Sequence, residues 1–185
     1  MAGIAKYTKE QGKEFIKLAR KSIESGFSGE KIQIPDKTEF RQARGVFVTL
    51  TKNKALRGCI GLTHSIYPIG ETIVKMARAA AFEDPRFSPL KQEELKDIKI
   101  EISILTEPSE VKGNIIKNFE LGKDGLICGF MGYSALFLPQ VATEHKMNKI
   151  EFLENLCQKA GLPKDNWQNK NTRFYKFQVQ IFEEE

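Results

Sequence analysis

Apolar residues recur along the chain with two distinct periods. Phe15, Leu18, Ala19 and Ile23 fall on one helical stripe, the spacing of a helix that buries one face. Thr8-Lys9-Glu10-Gln11 supplies a capping box in front of it and Gly26 a stop behind it. A second stripe, Ile69, Ile73, Met76, Ala77 and Ala80, predicts a helix that starts near Pro68, a favoured first-turn residue. That helix must end near Asp84, because Pro85 restricts the residue before it. A third stripe, Phe152, Leu153, Leu156, Cys157 and Ala160, follows the cap Asn148-x-x-Glu151 and stops at Gly161 and Pro163. Pro139 opens a shorter helix, Gln140 to about His145.

Period two marks the strands. Ile98, Ile100, Ile102 and Ile104 alternate with Lys99, Glu101 and Ser103, so one face is buried and one is wet. Val46 to Thr51 is β-branched and strand-like, Lys52-Asn53-Lys54 is a turn, and 55–62 is the return strand of a hairpin. A second hairpin runs through 126–130 and 133–138 around Met131-Gly132. The last strand, 173–182, has Tyr175, Phe177, Val179 and Ile181 inward. Residues 27–44 are polar, hold Pro35, and connect the first helix to the sheet. Strands joined by tight turns pair antiparallel, so the fold class is α+β, a mainly antiparallel sheet packed by helices. The chain reads as a single domain, 1–185, with room for a small second subdomain and no linker to mark its boundary.

Composition narrows the functional classes. The chain has 185 residues, 41% of them hydrophobic, enough for a real core. Its net charge of +5 permits an acidic partner without requiring nucleic acid. The three cysteines, Cys59, Cys128 and Cys157, form no C-x-x-C pair. That argues against a disulfide framework and a Cys-rich zinc site, and two histidines with scattered carboxylates offer no metal-ligand spacing. We expect no metal and no cofactor. With no signal peptide and no apolar run of membrane length, the reading is a cytoplasmic protein without a membrane partner.

The candidate chemistry lies in Ala55-Leu56-Arg57-Gly58-Cys59-Ile60-Gly61-Leu62. In a regular strand Arg57, Cys59 and Gly61 share one face. A permanently charged arginine two residues from a cysteine favours the thiolate. Gly58 and Gly61 leave space for backbone or ligand. The hairpin brings Thr49 or Thr51 near Arg57 and Cys59. Asp84-Pro85-Arg86-Phe87 reads as an Asp–Arg clamp around a rigid turn, with Arg86 able to present a fork to an anion. Gln140 and Glu144, four apart, share a helix face on which a carboxylate could relay protons. His64 and His145 are the histidines available as a base. Cys128 and Cys157 read as packed thiols.

Gly45 to Leu50 (GVFVTL) followed by Leu56 to Gly61 (LRGCIG) resembles the signature of the AMMECR domain family. Ala79-Ala80 with Asp84-Pro85-Arg86-Phe87, and Leu138-Pro139-Gln140-Val141-Ala142 with Glu144, extend the likeness. So do Phe152-Leu153, Lys159-Ala160-Gly161-Leu162-Pro163 and Trp167, and the resemblance runs over roughly 40–182. It implies an active site at the signature cysteine. It also implies a functional link to the Memo-like and radical-SAM proteins encoded beside prokaryotic members. Three functions follow. The first is an enzyme using Cys59 with Arg57 on a small-molecule ligand. The second is a non-catalytic binding or regulatory module for protein partners. RNA binding, through Lys52, Lys54, Arg57 and the run Arg173-Phe174-Tyr175-Lys176-Phe177, ranks lowest, because alternation leaves only Phe174 of its last two phenylalanines outward.

Overall fold

Both capping boxes start helices in the computed structural model, which describes residues 7–64 and 66–185. The Gln11 N–H donates to Thr8 Oγ1 at 3.2 Å, and the Thr8 N–H donates to Gln11 Oε1 at 2.9 Å. Asn148 and Glu151 make the same reciprocal pair. In chain order the elements are α1 (Lys9–Ser28), β1 (Val46–Lys52), β2 (Ala55–Leu62), α2 (Ile69–Phe82), β3 (Ile98–Leu105) and β4 (Ser109–Glu110). They continue with α3 (Ile115–Asn118), β5 (Gly125–Phe130), β6 (Tyr133–Phe137), α4 (Gln140–Glu144), α5 (Lys149–Lys159), β7 (Arg173–Phe177) and β8 (Val179–Glu183). Short 3-10 helices occupy Thr38–Phe40, Gln92–Glu94 and Lys164–Gln168. The class is α+β, with antiparallel hairpins and packed helices.

The chain forms two compact units: residues up to Leu105 together with Gln180–Glu185, and Thr106–Val179. The first unit carries a sheet in the order β2-β1-β3-β8. Its buried face presents Val46, Val48 and Leu50 from β1 and Ile98, Ile100, Ile102 and Ile104 from β3. Phe15, Leu18, Ala19 and Ile23 of α1 and Ile69, Ile73, Ala77 and Ala80 of α2 cover it. The opposite face carries Thr49, directly across from Cys59 on one side and Glu101 on the other. The C-terminal strand is locked in by polar contacts. Arg20 pairs with Glu184 and donates to the carbonyls of Leu95 at 2.7 Å and Ile98 at 2.9 Å. The side-chain amide of Gln180 bonds both the N–H and the C=O of Tyr7.

The second unit carries a sheet in the order β4-β7-β5-β6. Leu126 and Cys128 of β5, Phe174 of β7, and Phe152, Leu153, Leu156 and Cys157 of α5 form its core.

Three local expectations change. The first helix passes through Gly26 and ends at Ser28, with Gly29 taking the left-handed cap at φ 74°. Gly26 is a packing glycine: a Cβ there would meet the Phe82 ring at 2.4 Å. The last strand is two strands, β7 and β8, in different sheets and interrupted at Gln178. The switch resets the alternation, so Ile181 is 41% exposed while Phe182 packs on the first core. Phe174, expected outward, is a core residue of the second unit, because α5 covers that face of β7. The structure also adds β4 and α3, which are too short to leave a periodic pattern.

Gly58 sits where α2 crosses β2, and a Cβ on it would lie 2.1 Å from the Ala80 carbonyl oxygen. Helix backbone cannot yield as a flexible side chain would. Gly58→Ala is therefore expected to destabilise the first unit by about 2 kcal/mol or more, read as a lower urea midpoint at unchanged m value.

Candidate functional site

β2 is an edge strand: β1 lies on one side and, among the described residues, no strand on the other. Edge peptides need other partners. Cys59 stands directly opposite Thr49, with its own N–H and C=O turned away from β1. The Cys59 N–H donates to Asp84 Oδ2 at 2.8 Å, and the Cys59 carbonyl accepts from Arg86 Nη2 at 3.1 Å. A carboxylate and a guanidinium thus satisfy the strand edge as a neighbouring strand would.

Local sequence explains how they reach it. α2 ends at Phe82, and Pro85 stops any continuation. Asp84 then closes a turn: its Oδ1 accepts from the Arg86 N–H at 3.1 Å, and its carbonyl accepts from the Phe87 N–H at 3.1 Å. Arg86 folds back on Asp84 with Nε at 3.0 Å from Oδ1 and Nη2 at 2.7 Å from Oδ2. The Asp–Arg clamp read from the sequence is present, and it holds β2 as well as its own loop. The Asp84 side chain is 2% exposed and that of Arg86 53%. Hydrogen bonds from Arg86 hold the Asp84 carboxyl well below the usual carboxylate range; burial opposes this, and the two backbone N–H donors add to it.

The Cys59 thiol is half-buried on the face opposite the helices. Thr49 Oγ1 donates to its sulfur at 3.3 Å. The guanidinium that reaches Cys59 is that of Arg86, through the carbonyl. Its pKa is raised first by hydrogen bonding to Asp84, with burial acting against this, then by the Asp84 charge and by the Cys59 sulfur. Cys128 and Cys157 differ in kind. Both are fully buried in the second unit, and the neighbouring Cys157 thiol, with burial, pushes Cys128 above the usual thiol range.

Arg57 departs from simple alternation. The β1–β2 register shifts between Leu50 and Thr51: Leu50 pairs with Gly58 and Thr51 with Leu56. Arg57 is the extra residue of a β-bulge, which re-aims its side chain. It forms a two-pronged pair with Glu94, Nε to Oε1 at 3.1 Å and Nη2 to Oε2 at 2.9 Å, and both side chains are 13% exposed. Lys52 adds a third contact to Glu94 at 3.1 Å. Arg57 Nη1 is buried without a hydrogen-bond partner. Glu94 is pulled down to about 2, first by the hydrogen bonds from Arg57, then by the Lys91 N–H, with burial opposing and Lys52 assisting.

The remaining candidates fall as follows. Gly58 takes the close approach of α2, and Gly61 accommodates the Phe47 ring, which a Cβ would meet at 2.3 Å. Gln140 and Glu144 are the first and last residues of α4 in the second unit, the Gln140 Oε1 buried without a partner and Glu144 exposed. His64 is exposed just past β2, and His145 caps α4. Sequence reasoning missed Glu94, because a glutamate in the polar run Lys91-Gln92-Glu93-Glu94 carries no periodic or motif signal.

Comparison with known proteins is consistent over nearly the whole chain. The AMMECR1 family model matches residues 16–182. A Methanothermobacter thermautotrophicus protein is 45% identical over 188 residues, covering 98% of each chain. A Thermoplasma acidophilum protein, Ta0236, is 43% identical over 94% of this chain and 87% of its own. The crystal structure of the uncharacterized protein PH0010 from Pyrococcus horikoshii superposes with a TM-score of 0.90 at 42% identity, covering 96% of this chain and 93% of that one. Among the described residues, no helix is long and apolar enough to cross a membrane.

The two carboxylates give the first unit a defined acid response. Both have folded pKa values below their unfolded ones. Their stabilisation is therefore complete above the ordinary carboxylate range and is lost as pH falls through the folded values. For Glu94 that window runs from 4.5 down to about 2. Glu94→Gln should cost about 2 kcal/mol near neutral pH, and the gap to the parent protein should close as pH approaches about 2. Urea unfolding of both proteins across that range measures it; a gap independent of pH would contradict the assignment.

Proposed function

The chain belongs to the AMMECR1 family, and we propose that it acts through Cys59 as a thiolate nucleophile on a small anionic electrophile. The observation that carries this reading is the joint environment of one sulfur. A half-buried thiol accepts from Thr49 Oγ1 at 3.3 Å, on a residue whose carbonyl accepts from Arg86 Nη2 at 3.1 Å. Arg86 is also placed to serve a substrate. Its Nε and Nη2 hold Asp84 and the Cys59 carbonyl, whereas Nη1 makes none of those bonds. A carboxylate or phosphate on the substrate would meet that nitrogen. Arg57 enters as a positioning residue, tying β2 at the bulge to Glu94. Gly58 and Gly61 let the strand pack flat enough to present the thiol.

A second reading is a recognition surface for protein partners, with the Memo-like and radical-SAM proteins as the ones to test. One observation favours it: Asp84 is engaged with Arg86 and Arg57 with Glu94, and the hydrogen-bond partner of the thiol is a threonine rather than a base. Loss of partner capture in Arg86→Ala with full capture in Cys59→Ser would select it over thiol chemistry.

Alkylation tests the first reading directly. Cys128 and Cys157 are fully buried, so iodoacetamide should add one label per native chain, at Cys59. Arg86→Ala should slow labelling by the anionic reagent iodoacetate about tenfold near neutral pH, the change that ~1.4 kcal/mol of lost charge attraction produces. Thr49→Val should slow it less. Labelling of the two buried cysteines in the same variant would report unfolding, and Arg86→Lys then provides the comparison. A Cys59 rate equal to that of an unstructured thiol, and unchanged by both substitutions, would remove the proposal.

A further inference from the structure

The second unit contains a cavity of about 940 Å³ that has no part in the thiol site. One wall is β4 and the turn after it, from Glu110 to Ile116; the other is the 3-10 helix ending at Gln168, the loop after it, and the start of β7. Its size is at the upper end of the range of small-molecule pockets. We propose that this cavity binds a nucleoside phosphate, with the base against Trp167 and the phosphates among Lys112, Lys170 and Arg173.

Charge comes first. Lys112, Lys170 and Arg173 all line the cavity, and none has an ion-pair partner among the described residues. Glu110 is the single carboxylate in the lining. Three uncompensated cations around one hollow attract a multiply charged anion, and phosphate suits both the fork of an arginine and the point charge of a lysine.

The uncharged lining selects a ring. Trp167 is the only tryptophan in the chain, and it lines the cavity. Its indole Nε1 is buried with no hydrogen-bond partner. That N–H lies below the surface, so it is the ring of Trp167 that a ligand in the cavity would meet. Gln168 and Asn171 also line the cavity, and a side-chain amide carries both a donor and an acceptor suited to a base edge. Aromatic faces hold bases by stacking.

The loop carrying these groups is held in shape before any ligand arrives. Asn166 Nδ2 donates to Thr172 Oγ1 at 2.8 Å, and that hydroxyl donates to the Asn166 carbonyl at 2.8 Å. The Thr172 N–H bonds the Asn169 carbonyl at 2.9 Å, and the Asn171 N–H bonds Asn169 Oδ1 at 3.0 Å. A preformed wall loses little conformational freedom on binding.

The lone tryptophan makes the test direct. The full chain is titrated at physiological salt with ADP, adenosine and pyrophosphate, following Trp167 fluorescence with calorimetry in parallel. ADP should bind saturably in the micromolar range, and adenosine and pyrophosphate each at least about tenfold more weakly. Arg173→Ala should weaken ADP by about tenfold at an unchanged unfolding midpoint. If that variant is unstable, Lys170→Ala, in the exposed loop, is the second variant. No saturable signal by either method, pyrophosphate as tight as ADP, or ADP affinity indifferent to both variants would each overturn the proposal. So would tight binding of a short single-stranded RNA without binding of ADP.

Discussion

The carboxylate of Asp84, sealed from solvent and bonded to the peptide of Cys59, is the contact on which the first unit's site depends. An edge strand ordinarily leaves its outward N–H and C=O groups to water or to another chain. Here one side-chain pair occupies both groups at a single residue. That fixes the backbone of Cys59 from the side β1 cannot reach. It also joins the end of α2 to the strand beneath it, because Asp84 follows the last turn of that helix. The carboxylate stays charged while almost fully buried because four N–H donors surround it.

A second ion pair repeats the device one turn of connection later. Glu94 binds Arg57 at the bulge and Lys52 at the end of β1. The segment between α2 and β3 is therefore fastened to the first hairpin at two places. Buried pairs of this kind contribute more to a unique geometry than to net stability, since desolvation offsets most of the attraction. The two glycines of β2 complete the arrangement, one admitting the backbone of α2 and the other the ring of Phe47.

Environment also separates the three cysteines. Cys59 accepts from a hydroxyl at its sulfur and from a guanidinium at its carbonyl, and it is partly open to water. Cys128 and Cys157 lie against each other among Phe152, Leu153 and Phe174, where a charged sulfur is disfavoured. The second unit supports this dry core and, separately, a polar cavity whose three cations have no ion-pair partner among the described residues.

Most of the elements were legible in the sequence, because helix stripes, capping boxes and isoleucine alternation are local consequences of backbone geometry. Thr8 with Gln11, Asn148 with Glu151, and Ile98 through Ile104 needed no tertiary information. The Asp84–Arg86 clamp was also legible, since it rests on residues two apart in sequence. What lay beyond reach depended on register and on distant partners. A one-residue bulge directs Arg57 to Glu94, 37 positions away, and Arg86 supplies the guanidinium bonded to the Cys59 carbonyl from 27 positions away. The division of the last strand at Gln178 between two sheets, and the burial of Phe174 under α5, are decided by which surface each segment covers. Periodicity reports that a residue has a buried side; only the folded chain decides what lies against it.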